Sequence, residues 1–272
     1  MGKEEYFISR FKSATIGDDG AVIGDKVYSK DLFCEDIHFK RSWMSLKQIA
    51  MKSMLVNISD AIAMNAKPTH VLIGVVIPSN FSYKELDELS CGFTQIAHEF
   101  GCEIVGGDTT SGDKLHISIT IISHVKNPTC RGGIKKGDLL AHTGELGKSK
   151  IGLMALLRGG KLTSNARFIT PNLKAKFFYE AARYVNSALD ISDGLSKDLS
   201  RLCAKKLGVR FTKKVSKLEL CSGEEYEMLF SFDKRHKTKI KNLAKKHRIN
   251  LSVFGYTTRG KYNSCCKENH FR

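Results

Sequence analysis

The spacing of apolar and polar residues predicts a series of strands and helices in the first half of the chain. Residues 26–33 and 115–125 alternate with a period of two, which is typical of strands with one buried face. Residues 46–64 carry apolar side chains at helical spacing, and the apolar run at residues 71–78 predicts a buried strand. A further short strand is expected to end at Gly106 and Gly107.

One helix has clear start and stop signals. Ser82 and Glu85 have the spacing of a capping box, in which the serine accepts an early backbone N–H and the glutamate reaches back to the serine N–H. Gly101 supplies a residue that tolerates the left-handed conformation at a helix end. We therefore predict a helix that begins after Ser82 and ends at Gly101.

The apolar periodicity stops at residues 127–138, where proline, glycine and charged residues cluster. We predict a domain boundary there, with an N-terminal domain at 1–126 and a C-terminal domain at 127–272. The second half then offers strands at 139–143, into Asp190, near Leu229 and near Val253, and helices near 149–158, 173–186 and 195–207, the last ended by Gly208. A basic helix lies between the last two strands. This mixture predicts an α/β or α+β fold.

Composition favours a folded protein outside the membrane. A chain of 272 residues with 42% hydrophobic residues can bury a core of one or two domains. Its longest apolar run, residues 71–77, is too short to span a bilayer, and the first ten residues lack the apolar core of a signal peptide. We expect a soluble, cytoplasmic protein. The eight cysteines form no C-x-x-C pair, so we expect reduced thiols.

Charge is distributed unevenly. The net charge is +16, yet residues 1–125 hold 12 Lys and Arg against 16 Asp and Glu, which leaves 32 and 12 for the remainder. A basic half attracts nucleic acid or small polyanions such as nucleotides. The basic segment 234–248 is the best argument for a nucleic-acid-binding protein, but it lacks interleaved aromatic residues and any nucleic-acid-binding motif. Nucleic acid is therefore not an expected partner.

Carboxylates recur in short turns beside apolar runs. The turns contain Asp18 with Asp19, Asp60, Asp108, and Asp190 with Asp193. Converging carboxylates repel one another unless a cation neutralises them, and oxygen ligands without Cys or His clusters favour Mg²⁺. The expected chemistry is phosphoryl transfer. Each of these four turns, taken alone, also has a structural explanation. Asp60 and Asp193 suit helix N-caps, and the aspartates of the other two segments suit ordinary turns.

The ordered segments IGDDGAVI, SKDLFCEDIHF, NISDAIAMNAKP, GGDTT, DISDGL and SGEEYEM, within residues 16–228, resemble the thiamine-monophosphate kinase family of the aminoimidazole-ribotide-synthetase-like superfamily. The resemblance implies a two-domain PurM-like fold, in which an N-terminal α/β sheet pairs across a homodimer and a C-terminal α+β domain completes the active-site cleft. It also implies Mg²⁺-dependent transfer of the ATP γ-phosphoryl group to thiamine monophosphate. No general base is required, because the acceptor phosphate is already anionic at neutral pH.

The same resemblance assigns residues to three roles. Several Mg²⁺ ions would be held by Asp19, Ser29, Asp31, Asp60, Asp108, Asp190 and Asp193. The nucleotide would be bound by Gly107, Asp108, Arg131 and Ser192, and the thiamine substrate by His38 and Glu224. Lys30 departs from the small hydroxyl residue usual in the family, which leaves open whether a lysine there replaces a cation.

A nearer alternative is another PurM-like enzyme that uses ATP, of the aminoimidazole-ribotide or selenophosphate synthetase type. Such enzymes share the carboxylates, so the substrate-side segments must decide. EDIHF and SGEEYEM resemble the thiamine branch, and no cysteine lies in an N-terminal loop as selenophosphate chemistry would require.

Overall fold

Two five-stranded sheets, one from each half of the chain, form the framework of the computed structural model, which describes residues 3–204 and 206–266. The strands of the first sheet are β1 (Ala21–Ile23), β2 (Lys26–Cys34), β3 (Lys67–Pro78), β4 (Glu103–Gly112) and β5 (His116–His124). Their order is β1-β2-β5-β3-β4, with only the β3–β4 pair parallel among the described strands of this sheet. The four predicted strands of this half are confirmed, although β4 continues beyond Gly107.

The helices of this half are α1 (Lys3–Ile8), α2 (Leu46–Ala63) and α3 (Tyr83–Phe100). The predicted limits of α3 are confirmed, because Ser82 and Glu85 make both capping-box bonds and Gly101 ends the helix with a φ of 65°. Helix α2 begins at a second capping box, formed by Ser45 and Gln48. It is buried on nearly all sides, since it packs against the first sheet, α3 and the C-terminal half.

The second sheet is antiparallel and has the order β7-β9-β6-β10-β8. Its strands are β6 (Leu139–Thr143), β7 (Ser187–Asp190), β8 (Leu207–Phe211), β9 (Met228–Phe232) and β10 (Leu251–Arg259). The helices are α4 (Lys148–Leu157), α5 (Ala175–Ala181), α6 (Leu195–Leu202), α7 (Lys217–Leu220) and α8 (Lys237–Lys246). The mixed α/β and α+β fold class is therefore confirmed. Across the described ranges, no helix has the length and apolar character needed to cross a membrane.

One apolar core joins the two halves. It contains Ile58 of α2, Ile119 of β5, and Phe177 and Phe230 of the C-terminal half, all of which are at most 1% exposed. Because α2 contributes to this core and also contacts β7 and α5, it fixes the position of one sheet relative to the other. The basic helix α8 buries Ile240 and Ala244 against the same core and exposes its lysines.

The predicted end of the helix after Asp193 is wrong. Helix α6 ends at Leu202, and Gly208 lies inside strand β8 instead of terminating a helix. A Cβ atom on Gly208 would lie 2.7 Å from the Thr258 hydroxyl oxygen and 2.9 Å from the Arg259 carbonyl oxygen. The glycine therefore permits close approach of β10, a requirement that is not visible in local sequence.

The expectation that all cysteines are reduced is also wrong. Cys221 and Cys266 form a disulfide across a sequence separation of 45 residues. The thiol of the adjacent Cys265 is free, and its sulfur lies 3.9 Å from the Cys266 sulfur. Only the folded chain brings Cys221 and Cys266 together, because they are 45 residues apart in the sequence.

Loss of this disulfide should lower the free energy of unfolding. A loop of this length corresponds to about 4 kcal/mol of chain entropy in the unfolded state. We expect Cys221→Ser to unfold at a lower urea concentration than the parent, and a reducing agent to remove the difference. Cys91→Ser, which changes an exposed free thiol, is the matched control. Equal midpoints for Cys221→Ser and the parent without reductant would contradict this prediction.

Candidate active site

Three carboxylates meet where the two halves of the chain face each other. Asp19 lies in the turn before β1, Asp60 in the last turn of α2, and Asp190 at the end of β7. One oxygen from each side chain lies within 4.8 Å of the others. These residues, which we call the carboxylate cluster, come from three distant segments, and all three were predicted as metal ligands.

Burial and repulsion make the cluster difficult to ionise. Burial raises the pKa of Asp60 well above its usual value, and repulsion from Asp31, Asp190 and Asp19 raises it further. The pKa of Asp190 is likewise raised well above its usual value, first by burial and then by the charge of Asp19. An added cation would relieve both effects.

Asp60 has no role as a helix cap. It lies in the last turn of α2, whose N-cap is Ser45, so the structural alternative of an N-terminal cap is wrong for Asp60. A negative charge at a helix C-terminus is disfavoured by the helix dipole. Its position and its buried neighbours therefore give the carboxylate no stabilising role in the helix.

Arg131 brings positive charge to one side of the cluster. Its guanidinium forms an ion pair with Asp19 and donates a hydrogen bond of 3.1 Å to the Gly17 carbonyl, while its backbone N–H donates to Asp18 at 2.6 Å. The other carboxylate oxygen of Asp19, Oδ2, is buried and has no hydrogen-bond partner among residues 3–204 and 206–266. A buried, unpartnered oxygen beside two further carboxylates fits a hard divalent cation.

Asp31 and Ser29 lie on the face of β2 that is turned towards α2. Asp31 contributes to the raised pKa of both Asp60 and Asp190, which sets it near the carboxylate cluster. The buried Ser29 hydroxyl instead donates to Asn57 Oδ1 at 2.5 Å. Lys30 lies on the opposite face, where its ammonium donates to the Ser118 hydroxyl. A lysine on that face does not neutralise the cluster of its own chain.

Asp193 lies beside cations and outside the cluster of three. Arg201 and Lys197, both on α6, approach its Oδ2 at 2.6 Å and 3.3 Å. The N-cap of α6 is Gly194, so Asp193 does not occupy the N-cap position of that helix. Its backbone N–H donates to Asp198, a carboxyl group whose pKa burial raises to about 7. The sequence reasoning missed these partners, although their helical spacing from Asp193 could have indicated them.

His38 lies in the loop after β2, and Glu224 lies in the loop before β9. The His38 ring stacks on Phe33, and its Nδ1 accepts a hydrogen bond from the Cys34 N–H at 3.0 Å. Glu224 has a left-handed backbone with a φ of 55°, and its N–H donates to the carbonyl of Ser192 at 2.7 Å. A residue that the sequence reasoning missed, Lys52 of α2, donates to Glu224 Oε2 at 3.0 Å.

The two other glutamates of the SGEEYEM segment hold the segment in place. Glu225 accepts backbone N–H bonds from Gly147 and Ser149 at the start of α4. Glu227 forms an ion pair with Arg167 at 2.7 Å and accepts from the Thr143 hydroxyl at 2.6 Å. Both are fully buried. The segment therefore has a rigid base, and Glu224 is its one partly exposed acid.

Gly107 and Asp108 lie away from the cluster of their own chain. Strand β4 is at the edge of the first sheet, and Asp31 is separated from it by β5 and β3. The register pairs Asp31 with Ile119, Ile119 with Ile73, and Ile73 with Gly107, so that three strand spacings, about 14 Å, separate the ends of this row. Asp108 is the next residue and belongs to the opposite face of the sheet.

A separate cavity of about 900 Å³ lies between the halves of the chain. Lys67, Phe100, Phe177 and Arg248 are among the residues that line it, and no member of the carboxylate cluster does. The chemistry of the site therefore rests on the converging side chains and not on cavity size.

Comparison with known proteins identifies the family of the chain. Residues 17–125 match the family model described as "AIR synthase related protein, N-terminal domain". The chain is 32% identical to the thiamine-monophosphate kinase of Nitrosopumilus maritimus, over 80% of this chain and 77% of that protein. It is also 32% identical to the thiamine-monophosphate kinase of Buchnera aphidicola subsp. Schizaphis graminum, over 89% and 84%.

Solved structures share the fold. The structure described as AaThiL complexed with AMPPCP and TMP superposes with a TM-score of 0.84 at 23% identity, covering 95% of this chain and 90% of that one. A hydrogenase maturation protein, HypE, in its complex with HypF, gives a TM-score of 0.79 at 16% identity, covering 94% and 93%. The PurM-like fold is thus shared with proteins of different names. By its sequence identity to curated relatives over most of its length, the chain belongs to the thiamine-monophosphate kinase family.

Proposed function

We propose that this protein transfers the γ-phosphoryl group of ATP to thiamine monophosphate, giving thiamine diphosphate and ADP, with Mg²⁺ as cofactor. The observation that carries the proposal is the meeting of Asp19, Asp60 and Asp190 beside Arg131. The anionic phosphate groups of the two substrates must be brought together and held in line, and this requires concentrated positive charge.

The carboxylate cluster, with Asp31 beside it, would hold the metal. Bound Mg²⁺ would neutralise phosphate charge and orient the phosphate oxygens. The unpartnered Asp19 Oδ2 and the raised pKa values of Asp60 and Asp190 support this assignment, because each is relieved by a cation. Asp193 would join the site by exchanging its contact with Lys197 or Arg201 for a cation. Ser29 would first have to release Asn57.

Arg131 and Ser192 are the proposed nucleotide contacts from the C-terminal half of the chain. The Arg131 guanidinium can bind phosphate oxygens bidentately, and its ion pair with Asp19 keeps it next to the carboxylate cluster. Ser192 lies in the same loop as Asp190 and Asp193. A phosphate held there would be near both a fixed positive charge and the metal ligands.

His38 and Glu224 are the proposed contacts to thiamine monophosphate. The thiazolium ring of thiamine is cationic, so a partly exposed carboxylate such as Glu224 attracts it electrostatically. The half-buried ring of His38, stacked on Phe33, offers an aromatic surface on the other side of the cleft. The acceptor oxygen needs no base from the protein, because the phosphate monoester is already anionic.

A homodimer would explain Gly107 and Asp108. Within one chain Asp108 lies about 14 Å along the sheet from Asp31 and on the opposite face, too far to share one metal ion. All residues of β4 from Glu103 to Ser111 are exposed, including Ile104 and Val105. We therefore propose that the first sheets of two chains pair, and that Gly107 and Asp108 serve the nucleotide site of the partner.

The proposed substrate class is taken from the similar proteins named above, one of which has AMPPCP and TMP in its solved structure. We place the reaction in the cytoplasm, where ATP is available. The test is ATP consumption by purified protein with thiamine monophosphate, thiamine or selenide as acceptor. We expect ATP to be consumed only with thiamine monophosphate. Equal consumption with selenide, or consumption without any acceptor, would favour another PurM-like activity.

A further inference from the structure

Lys52 is a buried lysine that neither the carboxylate cluster nor the nucleotide contacts use. It lies in the middle of α2, and its side chain is 0% exposed. Its ammonium nitrogen is 3.8 Å from the centre of the Phe168 ring and 5.7 Å from that of Phe33. Its anionic partner is Glu224, at 3.0 Å. The contact crosses from the N-terminal half to the C-terminal half.

The energetics do not favour a lysine at this position on grounds of stability. Burial lowers the pKa of Lys52, and the carboxylate of Glu224 offsets part of this effect. A buried ion pair usually adds little to stability, whereas an apolar side chain between two phenyl rings would pack well. Residues that break the rule of an apolar interior in this way are concentrated at functional sites.

The surroundings of Glu224 indicate what Lys52 does. The backbone of Glu224 is held by Ser192, and the next residue, Glu225, is anchored at the start of α4. The Glu224 side chain is 24% exposed and faces Lys52. Without Lys52, this side chain would be free to turn into solvent, while the loop that carries it would remain fixed.

We propose that Lys52 is a positioning residue that holds the Glu224 carboxylate towards the cleft, and thereby sets the affinity for the acceptor substrate and not for the nucleotide. The proposal rests on the proposed function, in which Glu224 faces the cationic ring of thiamine monophosphate. Lys52 itself does not touch the substrate in this account, because the ammonium is enclosed by Phe33, Phe168 and Glu224.

The test compares Lys52→Met, Glu224→Ala and the double variant with the parent. We expect Lys52→Met to raise the KM for thiamine monophosphate on the order of tenfold, within the range of couplings between contacting residues, and to change the KM for ATP by less than about twofold. Because Lys52 acts through Glu224, the double variant should match Glu224→Ala. Lys47→Met removes a lysine of the same helix that forms no ion pair with residues 3–204 or 206–266, and it should match the parent.

Thermal melting separates positioning from a structural role. Lys52→Met should melt no lower than the parent, because a solvated Glu224 tolerates the loss and the apolar side chain packs between the rings. If Lys52→Met unfolds, the double variant takes its place, because it leaves no unpaired charge. Its KM values are then compared with those of Glu224→Ala. Equal increases of both KM values, or additive effects in the double variant, would overturn the inference.

Two outcomes distinguish the role of Lys52 from the proposed function. A parent that converts thiamine monophosphate, together with an unaltered Lys52→Met, would overturn the role of Lys52 and leave the proposed function standing. A parent that neither binds nor converts thiamine monophosphate in calorimetry and turnover would overturn both.

Discussion

Asp60→Asn should lower the rate of ATP turnover by roughly three orders of magnitude, since metal-assisted charge neutralisation contributes several kcal/mol to such reactions. The residual turnover should need a higher Mg²⁺ concentration. Asn keeps the size and hydrogen-bonding capacity of the side chain, and Asp60 does not cap α2. The loss would therefore come from the missing charge and not from misfolding. ATP turnover across a Mg²⁺ titration measures both effects.

The same substitution should stabilise the metal-free protein. The pKa of Asp60 is raised in the folded chain. At a pH between the unfolded and the folded pKa, the folded chain therefore holds a proton that the unfolded chain has already released. The free energy of unfolding of the parent should consequently fall as the pH rises above about 4, the usual pKa of the group, and Mg²⁺ should restore it. In Asp60→Asn, both the fall in the free energy of unfolding with rising pH and its recovery with Mg²⁺ should be smaller.

Asp87→Asn is the matched control, because Asp87 is exposed on α3 and lies in no carboxylate cluster of the part of the chain that the structure describes. It should leave turnover, Mg²⁺ requirement and melting as in the parent. Parental turnover in Asp60→Asn at an unchanged Mg²⁺ requirement would contradict the assignment of Asp60 as a ligand.

A mixed dimer of Asp60→Asn and Asp108→Asn chains should recover about half of the parental activity, although each variant alone is inactive. If Asp108 serves the partner, one site of the mixed dimer receives both defects and the other receives neither. This follows from the register, which separates Asp108 from the cluster of its own chain. Co-expression with two affinity tags isolates the mixed dimer for assay.

The control pairs Asp60→Asn with Asp190→Asn. Both residues belong to the cluster of one chain, so every site of that mixed dimer keeps one defect and no activity should return. Failure of the first pair to recover activity would show that Asp108 does not act across the dimer. A parent that sediments as a monomer at full activity would contradict the dimer itself.

Much of the fold was accessible from sequence because its signals are local. The capping box at Ser82 and the alternation of residues 115–125 depend on neighbouring residues, and both elements were found where expected. Gly208 and the Cys221–Cys266 disulfide were missed because each depends on a distant part of the chain. The predicted domain boundary lies between the two sheets, and the domain ranges stay a prediction.

The site shows the same division between local and distant information. The aspartates could be predicted because short turns mark them, and Asp19, Asp60 and Asp190 do converge. Lys52 was missed because periodicity alone assigns its position to a helix face without revealing a partner 172 residues away. Asp108 shows the reverse case: a motif indicates the residue, but only the strand register shows that it lies three strands away from Asp31.

The most direct test of the central claim follows the phosphoryl group itself. Purified protein is incubated with ATP labelled at the γ-phosphate, Mg²⁺ and thiamine monophosphate, and the products are separated. We expect the label to appear in thiamine diphosphate, with one ADP formed for each labelled product, and removal of Mg²⁺ by a chelator to stop the reaction. Label that appears only as inorganic phosphate, or ATP consumption that does not depend on thiamine monophosphate, would contradict it.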